Sequence, residues 1–300
     1  MLEFAILSAL GLAIGIGLFS HLNSDDEEPG ETIEGTEEND TLTGTERDDF
    51  ISGLVGDDLI EGEGGDDKLH GDEGDDLVIG GEGNDTIRGQ EGDDTLFGNE
   101  GDDWLGGDTG RDWVDGGAGD DEVKGGYGSD LVIGGEGEDI VEGGAGDDVV
   151  IGGTGPVEGL DELQTADLHA DLLAAGEWNA DNAVFNIPTD DGEADTLDGG
   201  DGDDMLIGGA GDTMTGGEGQ DLFVLLDSAG VDPATITDYD AAEDALVVQY
   251  ENGQPEPMLE LTENEDGTQT LSADGVAIAV LNASSLSTSD ILLVQRPPSA

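Results

Sequence analysis

Between Asp40 and Gly152 the apolar positions recur every nine residues, a period that belongs to neither a simple strand nor a helix. Leu42, Ile51, Ile60, Leu69, Val78, Ile87, Leu96, Leu105, Val114, Val123, Val132, Val141 and Val150 form this series, thirteen aliphatic residues without a miss. Each is the middle of a strand-like triplet such as Leu77-Val78-Ile79 or Thr86-Ile87-Arg88, and about six residues rich in glycine and acid separate one triplet from the next. A triplet of this kind reads as a short strand whose middle side chain points inward while its neighbours point out. A fixed nonapeptide period of strand plus loop predicts units stacked into a parallel β-helix or β-roll.

Outside that series the pattern changes several times. Residues 1–22 form an apolar segment whose uncharged run predicts an uncleaved membrane anchor over residues 4–20, with a secretion-related segment or an amphipathic stretch as the alternatives. Residues 23–34 are an acidic linker, and residues 35–155 are the first repeat block. The register then fails, because Asp148 and Asp195 lie 47 residues apart, which is not a multiple of nine. Residues 156–190 form an insert with a short helix signal, Thr165 as N-cap and Leu168 and Leu172 one turn apart. Residues 191–224 resume the repeats, with one unit a residue short before Asp212. Over residues 225–300 glycine thins out, and six strand-like runs with Asp266-Gly267 and Asp274-Gly275 turn signals predict a small C-terminal β cap.

Composition narrows what such a stack can do. Seventy-six acidic residues against six basic ones give a formal net charge of −70, which excludes nucleic acid and anionic membrane surfaces as electrostatic partners and favours cations. Cysteine is absent, so disulfides, thiolate metal sites and cysteine nucleophiles are excluded. The histidines His21, His70 and His169 are isolated, and no HExxH or G-x-S-x-G motif occurs, so no catalytic residue is assigned and the expectation is a protein that is not an enzyme.

The acid is placed as strictly as the aliphatic series. Two residues before each aliphatic position stands an aspartate: Asp40, Asp49, Asp58, Asp67, Asp76, Asp85, Asp94, Asp103, Asp112, Asp121, Asp130, Asp139 and Asp148. Asp195, Asp204, Asp212 and Asp221 continue the pattern in the second block. A glycine follows each of the first thirteen four residues later, and another precedes eleven of them by two, the departures being Glu38 and Arg47. Stacking these units sets carboxylates in rows, which repel and resist desolvation. A core one aliphatic side chain wide per strand offers little to oppose that. A hard divalent cation taking carboxylate and loop-carbonyl oxygens relieves the repulsion and binds only the folded state, and Ca2+ suits flexible all-oxygen sites better than magnesium. The expectation is multiple bound calcium ions and a chain that is disordered without them.

Units such as "GGEGNDTIRG" resemble the RTX, or haemolysin-type, calcium-binding repeat G-G-x-G-x-D-x-U-x over Gly35 to Gly155 and Asp191 to Val224. The resemblance implies an all-β fold dominated by a parallel β-roll, two nonapeptides per coil, with calcium between loops eighteen residues apart. It places the row from Asp40 through Asp58 to Asp148 on one edge and the row from Asp49 through Asp67 to Asp139 on the other. It further implies type I secretion from a Gram-negative bacterium, with an export signal near "SLSTSDILLVQR", and hence an extracellular or surface-anchored protein. Similar repeats accompany proteases, lipases and epimerases, so an exported enzyme is the alternative reading.

Splitting the strands by row exposes one more expectation. The first sheet turns Leu59, Leu77, Ile79, Phe97, Trp113, Leu131, Ile133, Val149 and Ile151 outward, whereas the second presents Lys68, His70, Arg88, Glu122, Lys124 and Glu142. The apolar face is expected to be covered by the insert, by the C-terminal cap, by self-association or by a cell-surface partner.

Overall fold

The computed structural model describes residues 30–154, 192–226, 232–250, 253–283 and 286–295. Strands alternate between two sheets, so that Leu59–Gly64 joins an eleven-stranded sheet, Lys68–Glu73 a thirteen-stranded one, and Leu77–Glu82 the first again. Within the repeats every pairing is parallel and shifted by one coil: Val78 lies opposite Ile60 and Leu96, and Leu69 opposite Ile51 and Ile87. The chain is therefore an all-β solenoid with two nonapeptides per coil. Its axis is filled by the aliphatic series, of which Ile60, Leu69, Val78, Ile87 and Leu96 are all fully buried.

The strands are longer than the triplets predict. Leu59–Gly64 spans six residues, because beyond Gly62, which the register skips, the chain pairs again, Glu63 with Gly81 and Gly64 with Glu82. Glycine makes this second arm possible where backbones pass closely. A Cβ on Gly74, whose φ is +136°, would lie 2.1 Å from the carbonyl oxygen of Gly56 in the preceding coil. Only a residue without a side chain fits there.

The lost register does not split the solenoid. Across the insert Ile140 pairs with Thr196 and Val149 with Met205, as if the two blocks were consecutive. The predicted insert helix lies outside the described residues, as do the apolar segment over residues 4–20 and most of the acidic linker. No helix among the described residues is long and apolar enough to cross a membrane.

All six C-terminal runs form strands, and they extend both sheets. Ala234–Ile236 adds to the thirteen-stranded sheet beside Thr213–Glu218, and Ala245–Tyr250 adds to the other beside Leu222–Leu226. Leu259–Glu263, Gln269–Ala273 and Val276–Leu281 then form an antiparallel meander at the end of the thirteen-stranded sheet. Its second turn uses Asp274 and Gly275, both with positive φ.

The two outer faces differ as the triplets predict. On the eleven-stranded sheet Trp113, Leu131, Ile133 and Ile151 are no more than 2% exposed although they point away from the axis, and with Ile207 and Val224 they form a second apolar cluster. Leu59, Leu77, Ile79 and Val149 on the same face are half-buried. The opposite face is polar, with Lys124 paired to Glu122 and Glu142, and Arg88 stacked 4.6 Å from the Trp104 ring and paired to Asp108.

Candidate metal centre

The strict aspartates sit where each loop enters its strand, and all seventeen are buried, from Asp40 to Asp221. In the first block eighteen residues separate neighbours within a row, and seventeen in the second, and each carboxylate uses one oxygen to hold the coil before it. The N–H of Asp58 donates to Oδ1 of Asp76 at 2.8 Å, and the N–H of Asp67 donates to Oδ1 of Asp85 at 2.7 Å. The rows cross the insert without a break, since Asp139 donates to Oδ1 of Asp195 at 3.0 Å and Asp148 to Oδ1 of Asp204 at 2.9 Å.

The second oxygen has a different fate. Oδ2 of Asp58, Asp67, Asp76, Asp85, Asp94, Asp103, Asp112, Asp121, Asp130, Asp148 and Asp204 is buried without a hydrogen-bond donor. Each points back over the glycine five residues earlier. A Cβ on Gly53 would lie 2.1 Å from Oδ2 of Asp58 and 2.7 Å from the carbonyl oxygen of Gly71 in the next coil. Glycine thus keeps open a small cradle in which a carboxylate oxygen and a backbone carbonyl oxygen lie close together.

Burial makes these carboxylates reluctant acids. Desolvation is the main cause, the backbone N–H bond to Oδ1 opposes it, and like-charged neighbours in the row add to it. The result pushes Asp76 up to about 8, Asp112 to about 9, Asp121 to about 8 and Asp148 to about 8. A bare anion is therefore strongly disfavoured at these positions.

Oxygen-only donors, an unsatisfied buried carboxylate oxygen and a neighbouring carbonyl suit a hard divalent cation such as Ca2+. Among the described residues no three acidic or histidine side chains converge at metal-ligand spacing. A cation held here would draw on one carboxylate and on loop carbonyls from adjacent coils. His70 takes no part, its ring packing edge-on against Phe50 at 5.5 Å on the polar outer face. His21 and His169 lie outside the described residues.

Three of the seventeen are built differently. Oδ2 of Asp40, Asp49 and Asp212 each accepts a backbone N–H from its own loop at 2.6 Å, from Thr36, Thr45 and Gly209 respectively. Asp195 and Asp139 occupy their rows through the Oδ1 bonds described above, and Asp221 accepts from Asp204 at 3.1 Å.

Two sets of residues escaped the sequence pattern. The residue preceding most of the strict aspartates, usually an acid or amide, joins a second, more exposed ladder running the other way: the N–H of Asp93 donates to Oδ1 of Asp75 at 2.9 Å, and that of Arg111 to Oδ1 of Asp93 at 2.8 Å. Its signal was the doubled acid of each unit. Beyond the repeats, Asp244 continues one row by accepting from the N–H of Asp221 at 3.1 Å, and Asp238 accepts from Gly216 and Gly217 at 3.0 and 2.9 Å. Asp244 does carry the signature of an aliphatic residue two positions on, Leu246.

The model of the RTX calcium-binding nonapeptide repeat matches residues 34–156 and 189–223 in overlapping segments, more than half of the 300 residues. The chain belongs to the RTX calcium-binding repeat family. No curated protein matches it. Among solved structures it is similar to the extracellular lipase LipA from Serratia marcescens at 16% identity, covering 89% of this chain and 40% of that one with a TM-score of 0.19. The RTX chain described here thus spans well under half the length of that lipase.

Proposed function

We propose that this RTX protein is an exported structural or interaction module of a Gram-negative bacterium, secreted or held at the cell surface, whose solenoid folds on binding several calcium ions. The observation that carries this reading is the buried, donorless Oδ2 repeated along both edges of the roll. Where calcium is scarce those carboxylates oppose folding through desolvation and mutual repulsion; where it is plentiful, a bound cation neutralises them and the coils close. The chain's own part is to hold each carboxylate by its Oδ1 to the previous coil and to leave Oδ2 aimed into a glycine-lined loop. Such a protein can cross a narrow export route unfolded and take its shape outside.

No catalytic role is assigned to any residue, since the ionisable clusters of the solenoid are consumed by its own ladders. Self-association or attachment to a surface partner would fall to the half-buried Leu59, Leu77 and Ile79 of the eleven-stranded sheet, since Trp113, Leu131, Ile133 and Ile151 on that face are already buried. The deciding experiment is far-UV circular dichroism of residues 23–300 during a calcium titration with magnesium as control. A cooperative gain of β-structure at about 0.1 to 1 mM calcium, the range of extracellular modules, supports the reading. A chain already folded in chelator overturns it.

A further inference from the structure

The seventeen aspartates share one sequence position, but fourteen of them, the eleven with a donorless Oδ2 named above together with Asp40, Asp49 and Asp212, fall into two structural states that the backbone four residues upstream divides. Before Asp58, Asp67, Asp76, Asp94, Asp103 and Asp112 stand Leu54, Glu63, Asp72, Gln90, Asn99 and Asp108, all non-glycine residues with φ between 73° and 87°. Glycines hold that left-handed position in other units, as Gly81 before Asp85, Gly117 before Asp121 and Gly144 before Asp148, with φ of 123°, 110° and 119°. In every one of these loops Oδ2 of the aspartate has no donor.

The loops of Asp40, Asp49 and Asp212 lack the left-handed turn. Thr36 and Thr45 stand four residues upstream and Gly209, in the unit that is one residue short, stands three upstream; none of them has a positive φ. Reversing the sign of φ swings the amide to the other side of the chain, and in these three loops it points at the carboxylate, closing it at 2.6 Å. Thr36 and Thr45 add their hydroxyls to the same oxygen at 2.8 and 3.1 Å.

We infer that the left-handed residue four positions before each aspartate is the positioning residue that opens the carboxylate to a cation, and that Asp40, Asp49 and Asp212 are closed carboxylates that hold none. The backbone strain at the non-glycine positions fits this assignment. Side chains are rarely tolerated at positive φ, and such conformations persist where a function requires them. The three closed loops then have a structural meaning. Asp40 and Asp49 end the two rows at the first coils, where Asp49 also accepts the N–H of Glu31, and Asp212 marks the shortened unit inside the second block.

This inference rests on the calcium-folding reading, and its test separates the two. Native mass spectrometry of the full chain at saturating calcium counts the bound ions in the parent and in single variants. Asp40→Ala, Asp49→Ala and Asp212→Ala are expected to retain the parent count. Asp94→Asn and Asp112→Asn, which keep an acceptor at Oδ1, are expected to lose at least one ion. Should Asp212→Ala not fold, Asp49→Ala and Asp40→Ala carry the test at the other end. A lowered count in Asp49→Ala or Asp40→Ala, or an unchanged count in both Asn variants, overturns the inference while leaving calcium-driven folding intact. A parent chain that binds no calcium overturns the earlier reading itself.

Discussion

The N–H of Asp94 donates to Oδ1 of Asp112, one coil further on, at 2.8 Å, while Asp93 accepts at its own Oδ1 the N–H of Arg111 from that same next coil at 2.8 Å. Adjacent acids in one unit therefore tie the same two coils together in opposite directions. Asp94 is buried and Asp93 only half-buried, so they differ in energetic weight and answer substitution differently.

Replacing Asp112 by Ala removes both the acceptor for Asp94 and the open Oδ2. The orphaned buried N–H alone costs about 1–3 kcal/mol. The calcium midpoint of folding is expected to rise severalfold in Asp112→Ala and by less in Asp112→Asn, as followed by circular dichroism.

Asp75 tests the exposed ladder. Asp75→Ala removes an acceptor for the N–H of Asp93 at the surface, a loss of about 0.5–1.5 kcal/mol. The calcium midpoint is expected to shift slightly, with no change in the number of ions bound by equilibrium dialysis. A loss of ions in this variant would assign the outer ladder a share in the metal centre.

Glycine substitutions should work in opposite directions. Leu54 holds φ at 81° with its side chain 39% exposed, so Leu54→Gly relieves a left-handed strain of about 1–2 kcal/mol and is expected to lower the calcium requirement. Gly74→Ala forces a methyl to 2.1 Å from the Gly56 carbonyl and is expected to abolish cooperative folding of the coils on either side. Thermal melts at fixed calcium read both outcomes.

The pH response should reverse with calcium. In chelator, Asp76 and Asp112 are raised by burial from an ordinary 3.8 to about 8 and about 9, so the folded roll retains protons that the unfolded chain releases. The penalty for the metal-free fold is full above about pH 9, falls as pH drops through those values, and is gone below 3.8. Acidification in chelator is therefore expected to increase β-structure by circular dichroism. With calcium present, ligation needs ionised carboxylates, and acidification is expected to raise the calcium midpoint.

Ile133 probes the outer cluster independently of the metal centre. It is fully buried on the outward face of the eleven-stranded sheet. Ile133→Ala is expected to cost about 2–5 kcal/mol in a denaturant titration at saturating calcium, while leaving the ion count unchanged.

The nonapeptide spacing by itself determined the stacked solenoid and the inward column from Leu42 to Val150; the two rows of aspartate and the apolar character of one outer face followed once the family resemblance set two nonapeptides per coil. These are properties of period and alternation, which every unit states locally and every coil repeats. Tertiary structure alone decided that the rows run through the insert, because the joining of Ile140 to Thr196 and of Asp139 to Asp195 depends on where the chain returns. It alone extended the triplets to six-residue strands and carried one row on to Asp244, since both require a neighbouring coil to supply the partner. It also split one sequence position into open and closed carboxylates. The sign of φ at Leu54 or Thr45 is set by how each loop packs on the next, and the letters of the repeat do not record it.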